Sequence, residues 1–276
     1  MNILHLSDLH LCPEGVKAYG VVDSHALAQR ACEAIANLAV RADAVIITGD
    51  LADCGLAEEY QRLNGILERL APLPVFLIPG NHDRREEMLA HLPGLRHSEG
   101  FIQYTVEDFP VRLVLLDSVV AGETHGELCP ARLVWLERIL AAAPERETMI
   151  ALHHPPFMTG VRQFDDIALR NHGEFRALIA RHSQVTRVIS GHHHRMIVGN
   201  VAQAIGFVAP SIAYQFMLTH DAGIEMGFNL EPSAFLVHSW SPERGFATQS
   251  AFVEPFPGPF PILLGEDYPG RKEAAF

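Results

Sequence analysis

Residues 3–10 read Ile3-Leu4-His5-Leu6-Ser7-Asp8-Leu9-His10. A short, mostly apolar run stops at Ser7-Asp8, which reads as a buried strand feeding a loop, and the loop opens with Asp8-x-His10. The same order recurs down the chain. Ala44–Thr48 is an apolar run closed by Gly49-Asp50, and Val75–Ile78 runs into Pro79-Gly80-Asn81-His82-Asp83. Thr148–Leu152 runs into His153-His154-Pro155-Pro156, and Val185–Ser190 into Gly191-His192-His193-His194. Five strand candidates thus each end in side chains able to hold a metal or move a proton. In open α/β sheets, ligand sites form beyond the carboxyl ends of strands, so five segments distant in sequence can converge on one rim.

Each motif has a plain structural reading. Asp-x-His is common on surfaces, Gly-Asp after a strand is usually a turn, Asn-His-Asp can open a helix, and His-His-Pro-Pro can be a stiff loop. Adjacent imidazoles in Gly191–His194 gain little by packing, and five such coincidences at five strand ends leave the structural account short.

Between the strands lie helical patterns. Leu27, Ala31, Ala34, Ile35 and Leu38 recur at helical spacing, with Ser24 as the expected cap of a helix reaching about Val40. Glu58–Leu70, Arg84–His91, Pro130–Ala142 and Leu169–His182 also read as helices, and Ile102–Val106 with Val111–Leu116 as a strand pair. The tail changes character. Met196–Val201, Gly206–Ala209, Ile224–Leu230, Ala234–Trp240 and Ala247–Phe252 are short strand-like runs, and Pro255–Gly270, rich in Pro and Gly, reads as an extended surface arm. The order suggests layered α/β with a mixed sheet or two stacked sheets.

The chain has 276 residues, 48% hydrophobic and 20% charged, which suits one large α/β domain or one domain with a smaller appended piece. Such a chain buries a full core unaided, so a metal site would serve function rather than folding. The net charge of −12 opposes long nucleic acid as a partner. A small anion remains admissible, because bound cations reverse the local field. Cys12, Cys32, Cys54 and Cys129 form no C-x-x-C pair and read as reduced thiols packed as small hydrophobes. The first residues lack a basic segment followed by a long apolar one, and no apolar run reaches transmembrane length, so a cytoplasmic protein without a membrane partner is expected.

The donors at the strand ends are neutral or anionic nitrogen and oxygen, which suits Fe, Mn, Zn or Co; the absence of thiolates argues against a structural zinc site. An aspartate has two oxygens and can bridge two ions. Two ions about 3.5–4 Å apart can activate a hydroxide and clamp phosphoryl oxygens during in-line attack.

The ordered blocks D-x-H, GD, GNH[DE], H and GHxH, from Asp8 to His194, resemble the calcineurin-like metallophosphoesterase superfamily. Ser7-Asp8-Leu9-His10, Gly80–Asp83, His153-His154-Pro155-Pro156 and the chain length resemble its class III cyclic-nucleotide phosphodiesterase and glycerophosphodiesterase branch. The resemblance implies a four-layer αββα sandwich, with residues 1–200 as a dinuclear catalytic domain. It assigns 201–276 as a β-rich completion of the sandwich carrying a cap or oligomerisation arm. It implies two divalent or trivalent ions: Asp8, His10 and His194 on the first, Asn81, His153 and His192 on the second, Asp50 bridging. His82 would contact the substrate phosphate and protonate the leaving alkoxide, and Asp83 would orient His82. At the fourth block either His153 or His154 is the ligand, the family pattern favouring His153; strand alternation leaves room for one. His193 should point away for the same reason. Asp53 reads as an outer or substrate-side group. A homo-oligomer follows as an option, with Phe207, Ile212, Tyr214, Phe216 and Met217 either at an interface or in ordinary core.

The activity implied is hydrolysis of small phosphodiesters, either 3′,5′-cyclic nucleotides such as cyclic AMP or glycerophosphodiesters. The alternatives are a phosphomonoesterase, which would want extra cations such as Arg84, Arg85 and Arg195 near the metals, and a non-catalytic scaffold, which would have lost a ligand or His82. A nuclease is disfavoured by the charge.

Overall fold

The computed structural model describes residues 1–221 and 223–260. In chain order its elements are β1 (Asn2–Leu6), α1 (Ser24–Ala36), β2 (Ala44–Ile47), α2 (Ala57–Leu67), β3 (Val75–Leu77), α3 (Arg85–His91), β4 (Tyr104–Val106) and β5 (Arg112–Leu115). Then come α4 (Pro130–Ala141), β6 (Thr148–Ala151), α5 (Arg162–Asp165), α6 (His172–Ile179), β7 (Val185–Ser190), β8 (Ile197–Val201) and β9 (Ala204–Val208). The described chain closes with β10 (Gln215–Phe216), β11 (Phe228–Asn229), β12 (Ala234–Ser241) and β13 (Gly245–Phe252).

Two sheets stack face to face. The first has the order β13-β12-β1-β2-β3, the second β4-β5-β6-β7-β9-β8, and β10-β11 form a separate two-stranded ribbon. β1, β2 and β3 run parallel, as do β5, β6, β7 and β9; β12 lies antiparallel beside β1 with Ile3 opposite His238. The tail therefore supplies two strands of the first sheet.

Strand alternation sorts the core into layers. In β5, Leu113 and Leu115 belong to the core that includes the first sheet and the helices α1, α2 and α3, while Val114 belongs to the core that includes α4 and α6. Met149 and Ala151 against Ile150 in β6, and Ile189 against Val188 in β7, divide the same way. The central strands are buried on both faces, which is why they read as continuous apolar runs. The four layers αββα follow directly, as expected.

Several boundaries differ from the sequence reading. α1 is capped by Asp23, whose carboxylate accepts from the Ala26 N–H at 3.0 Å; the buried Ser24 hydroxyl accepts from the Cys12 N–H instead. The helix stops at Ala36, where the Asn37 amide folds back onto the Glu33 carbonyl. The helix expected over Leu169–His182 covers His172–Ile179 alone. Before it, the Asn171 side chain is committed to both backbone groups of Leu128. After it, the Gln203 amide donates to the carbonyls of Ile179, His182 and Val185. The run Ile224–Leu230 shrinks to Phe228–Asn229, paired with Gln215–Phe216. Of the expected arm, residues 255–260 have no regular structure, and 261–270 lie outside the described residues.

Candidate metal centre

Because β1, β2, β3, β6 and β7 are parallel within their sheets, their carboxyl ends open on one rim. There the backbone turns sharply. Asp8, His10, Asp50, His192 and His194 all have positive φ, between 45° and 72°, which is uncommon for residues other than glycine and clusters at functional sites. Two glycines permit the close approach of the loops. A Cβ on Gly80 would lie within 2.3 Å of the Asp50 backbone nitrogen, and one on Gly191 would overlap the Ser7 hydroxyl.

The predicted donors converge in two groups. In the first, His10 Nε2 lies 3.1 Å from His194 Nε2 and 3.6 Å from Asp50 Oδ2, and His194 Nε2 lies 3.4 Å from Asp8 Oδ1. In the second, His153 Nε2 lies 3.1 Å from both Asn81 Oδ1 and His192 Nδ1, and 3.5 Å from Asp50 Oδ2. One oxygen of Asp50 thus faces both groups, while its other oxygen accepts the His82 N–H at 2.9 Å.

The tautomers follow from the outer partners. His10 Nδ1 donates to Asp53 Oδ1 (3.0 Å), His194 Nδ1 to the Tyr214 carbonyl (2.9 Å), His153 Nδ1 to the Thr48 carbonyl (2.6 Å) and His192 Nε2 to the Ile167 carbonyl (3.0 Å). Each ring spends one proton outward, so in their neutral forms the nitrogens that meet at about 3.1 Å present lone pairs. Converging lone pairs and carboxylate oxygens repel one another unless a cation lies among them, and carbonyl-anchored imidazoles are how proteins hold metals. The donor set fits two hard-to-borderline cations, with no thiolate among it.

Buried electrostatics agree. Burial opposes charge on Asp8 and Asp50, yet His194 beside the first and His153 beside the second hold both carboxyls below the usual range. Burial keeps His10 and His192 neutral. For His153 burial also disfavours charge, but Asp50 and then Asp8 outweigh it and lift its pKa to about 9, so without a cation a second proton sits on Nε2 facing Asp50, where a metal would take its place.

His82 stands at the edge of this centre, one-third exposed, its ring edge-on to His10 with centroids 4.7 Å apart. Its Nδ1 donates to the Asp53 carbonyl at 2.7 Å, leaving Nε2 to face outward. Burial disfavours charge here too, but Asp50 and Asp53 prevail and raise its pKa above that of a free histidine. Asp83, expected to orient His82, has other partners: its carboxylate accepts from the N–H groups of Leu51, Ala52 and Gly80 and from the Tyr60 hydroxyl. Three converging backbone donors outcompete a single imidazole, so Asp83 ties the Asp50 loop to the Asn81 loop. His154 turns behind the centre, its Nδ1 sharing a hydrogen bond with Ser118 at 2.8 Å, although its ring also lies beside His153 and His192. His193 stacks on Phe164 at 4.8 Å, away from the donors.

Some features had no sequence signal. The Thr48, Ile167 and Tyr214 carbonyls act as backbone groups and leave no mark in residue type. A layer of aromatic rings lines the first group: Phe216 stacks on His194 at 4.4 Å, and Tyr214, Phe228 and the exposed Tyr19 continue it outward. Of the apolar residues weighed as an interface, Phe207, Ile212 and Tyr214 are buried within this chain. Two of the three flanking arginines are occupied. Arg85 makes a bidentate pair with buried Asp117, and Arg195 pairs with Glu231 and the Phe216 carbonyl.

The calcineurin-like phosphoesterase family model matches residues 1–196. The chain is 31% identical over 264 residues to the glycerophosphodiester phosphodiesterase GpdQ of Enterobacter lignolyticus, covering 94% of each protein. It is 36% identical over 196 residues to the 3′,5′-cyclic adenosine monophosphate phosphodiesterase CpdA of Escherichia coli K12, covering 71% of this chain and 70% of that one. A dimetal phosphatase from Danio rerio shares the fold with a TM-score of 0.63 at 14% identity, over 92% of this chain and 99% of that one. With the ordered blocks, the layered sheets and the convergent donors, the match establishes that the chain belongs to the calcineurin-like phosphoesterase family.

Proposed function

We propose that this protein is a metal-dependent phosphodiesterase acting on small substrates, glycerophosphodiesters foremost. The convergence of outward-anchored imidazoles and of Asp8 and Asp50 on one rim carries this reading. Asp8, His10 and His194 would hold one ion, Asn81, His153 and His192 the other, with Asp50 between them. The two ions, from among Fe, Mn, Zn and Co, would neutralise phosphoryl charge and acidify the attacking water. Water adds to phosphorus and the ester P–O bond breaks. His82, its Nδ1 proton held by the Asp53 carbonyl and its pKa raised by the nearby carboxylates, hands a proton from Nε2 to the departing alkoxide. Asp83 contributes by bracing the two loops that carry Asp50 and Asn81. Residues 1–200 would form the dinuclear catalytic domain and 201–276 the β-rich completion of the sandwich with a cap or interface arm.

A diester rather than a monoester is favoured by the arginines. A dianionic monoester wants several free cations beside the metals, whereas two of the three flanking arginines, Arg85 and Arg195, are already paired. Glycerophosphodiesters lead because the GpdQ likeness spans nearly all of both chains. A 3′,5′-cyclic nucleotide is the second reading, supported by the aromatic layer ending at Tyr19, 64% exposed, on which a base could stack. Four unpaired thiols suit a reducing cytoplasm, and the exposed Leu218, Ile224 and Leu230 beside the ribbon would serve contact between copies.

The test is steady-state hydrolysis, after stripping and reloading with Mn, of glycerophosphoethanolamine, cyclic AMP, bis(p-nitrophenyl) phosphate and p-nitrophenyl phosphate. The diesters should be cleaved only with metal, glycerophosphoethanolamine best, and His82→Ala should lose about 10²–10⁴-fold in kcat. Preference for the monoester would overturn the substrate class, and no turnover with any metal would overturn the activity.

A further inference from the structure

Between the two sheets, where packing is otherwise largely apolar, four side chains form a continuous line of hydrogen bonds. Thr248 Oγ1 meets His238 Nδ1 at 2.8 Å, His238 Nε2 meets His5 Nδ1 at 3.3 Å, and His5 Nε2 meets Thr48 Oγ1 at 2.9 Å. The line crosses β13, β12 and β1 and ends just beyond β2. His238 touches Phe207 of the facing sheet, with centroids 5.6 Å apart. His5, His238 and Thr48 are fully buried. Thr48 also donates to Ser7 Oγ at 2.8 Å, and Ser7 packs against Gly191 at the root of the His192 loop.

Such a line is costly unless every member is satisfied, and here all four ring nitrogens have partners. Burial, helped for His238 by Arg187, keeps both rings neutral. A neutral imidazole donates through one nitrogen and accepts through the other. With the Thr48 hydroxyl proton given to Ser7, His5 Nε2 donates to Thr48, His238 Nε2 donates to His5 Nδ1 and the Thr248 hydroxyl donates to His238 Nδ1, so the bonds run in a single direction and none can reverse alone. The line behaves as one unit. At its inner end, Thr48 presents its carbonyl to His153 Nδ1 at 2.6 Å, the bond that turns His153 Nε2 toward Asn81 and Asp50.

We propose that the Thr248–His238–His5–Thr48 line is a positioning device for the metal centre, holding the Thr48 carbonyl at the place that sets the tautomer and ring angle of His153. Thr48, His5 and His238 are positioning residues: they touch neither substrate nor metal and act through His153. The inference rests on the reading of that centre as a metal site.

The experiment uses the full chain and two readouts: two-site zinc binding by calorimetry, and the His153 ring N–H resonance in the metal-free protein. Thr48→Val keeps shape and loses the hydroxyl. It should weaken zinc at one of the two sites by about tenfold and leave the other unchanged, while Thr48→Ser stays within about twofold of the native protein. Thr248→Val, on the outer strand and far from the donors, should shift the His153 resonance and weaken the same site by a smaller factor. A merely structural role would lower the thermal midpoint without moving the resonance or the ratio of the two affinities. An unmoved resonance and unaltered affinities in Thr48→Val and Thr248→Val overturn the proposal. If Thr48→Val fails to fold, Thr248→Val decides alone. A native protein that binds no zinc while its His153 resonance responds to Thr248→Val sinks the metal reading and not the coupling within the line.

Discussion

Asp53 and Asp83 lie on either side of His82 and do different work. The Asp53 carboxylate accepts from His10 Nδ1 and its carbonyl accepts from His82 Nδ1, so one residue orients both imidazoles together. Asp53→Ala removes the first contact and keeps the second. It should cost about 10–100-fold in metal affinity, read by competition with a chelating dye, while metal-saturated kcat falls less. Asp83→Ala instead orphans three buried N–H groups at about 1–3 kcal/mol each, so it should lower urea-unfolding stability by several kcal/mol even in metal-free protein. If the two variants gave the same profile, this division would be wrong. The convergence of the candidate ligands was legible in sequence because each closes an apolar strand with a side chain that has little reason to be there otherwise. The work of Asp83 was not, because its partners are backbone groups on a loop about thirty residues away in sequence, and backbone donors leave no trace in residue type.

Elements raise a different question, where a helix ends and what holds it down. Strand β7 is legible to the residue, since Val185–Ser190 carries Ile189 on one face and Val188 on the other and is bounded by His-Ser-Gln and Gly. Helix α6 is shorter than its apolar periodicity because Asn171 and Gln203, which close its two ends, act through tertiary contacts that periodicity does not record. Helix α3 is pinned by Arg85, which grips Asp117 with bonds of 2.6 and 2.7 Å, and Asp117 is 0% exposed. Arg85→Met leaves that carboxylate without its main cation and should destabilise the fold by about 3 kcal/mol, measurable in denaturant. A second consequence concerns α4. Cys129 precedes its first turn, where burial raises the thiol's pKa but the N–H groups and charge of Arg132, with the Ala131 N–H, prevail and lower it. Cys54 is the more exposed thiol, but burial, Glu59 and Asp53 raise its pKa. Alkylation near pH 7.5 followed by peptide mass mapping should therefore modify Cys129 before Cys54, while Cys12 and Cys32, both pushed up to about 11 by burial, stay unmodified. Exposure alone would predict Cys54 first.

The whole molecule encloses several imidazoles between its two sheets, and that has a cost in acid. His238 is fully buried, and burial together with Arg187 lowers its pKa from 6.5 to about 3. In the unfolded chain the same ring takes a proton near pH 6.5. Between pH 6.5 and 3 the unfolded state therefore binds the extra proton, and stability falls as pH falls through that window. At pH 5 this one ring should cost the native state about 2 kcal/mol relative to pH 7. Histidines at the metal centre titrate as well, so the total slope belongs to no single residue and the informative quantity is a difference. His238→Gln keeps a polar side chain in the line and removes the titration. In metal-free protein it should be less stable than native at pH 7, yet its loss between pH 7 and pH 5 should be smaller by about 2 kcal/mol, read from urea midpoints at the two pH values. Equal losses would mean that the inter-sheet space admits a proton at His238, and with it that the two sheets are less tightly closed there than Phe207 and Thr248 make them.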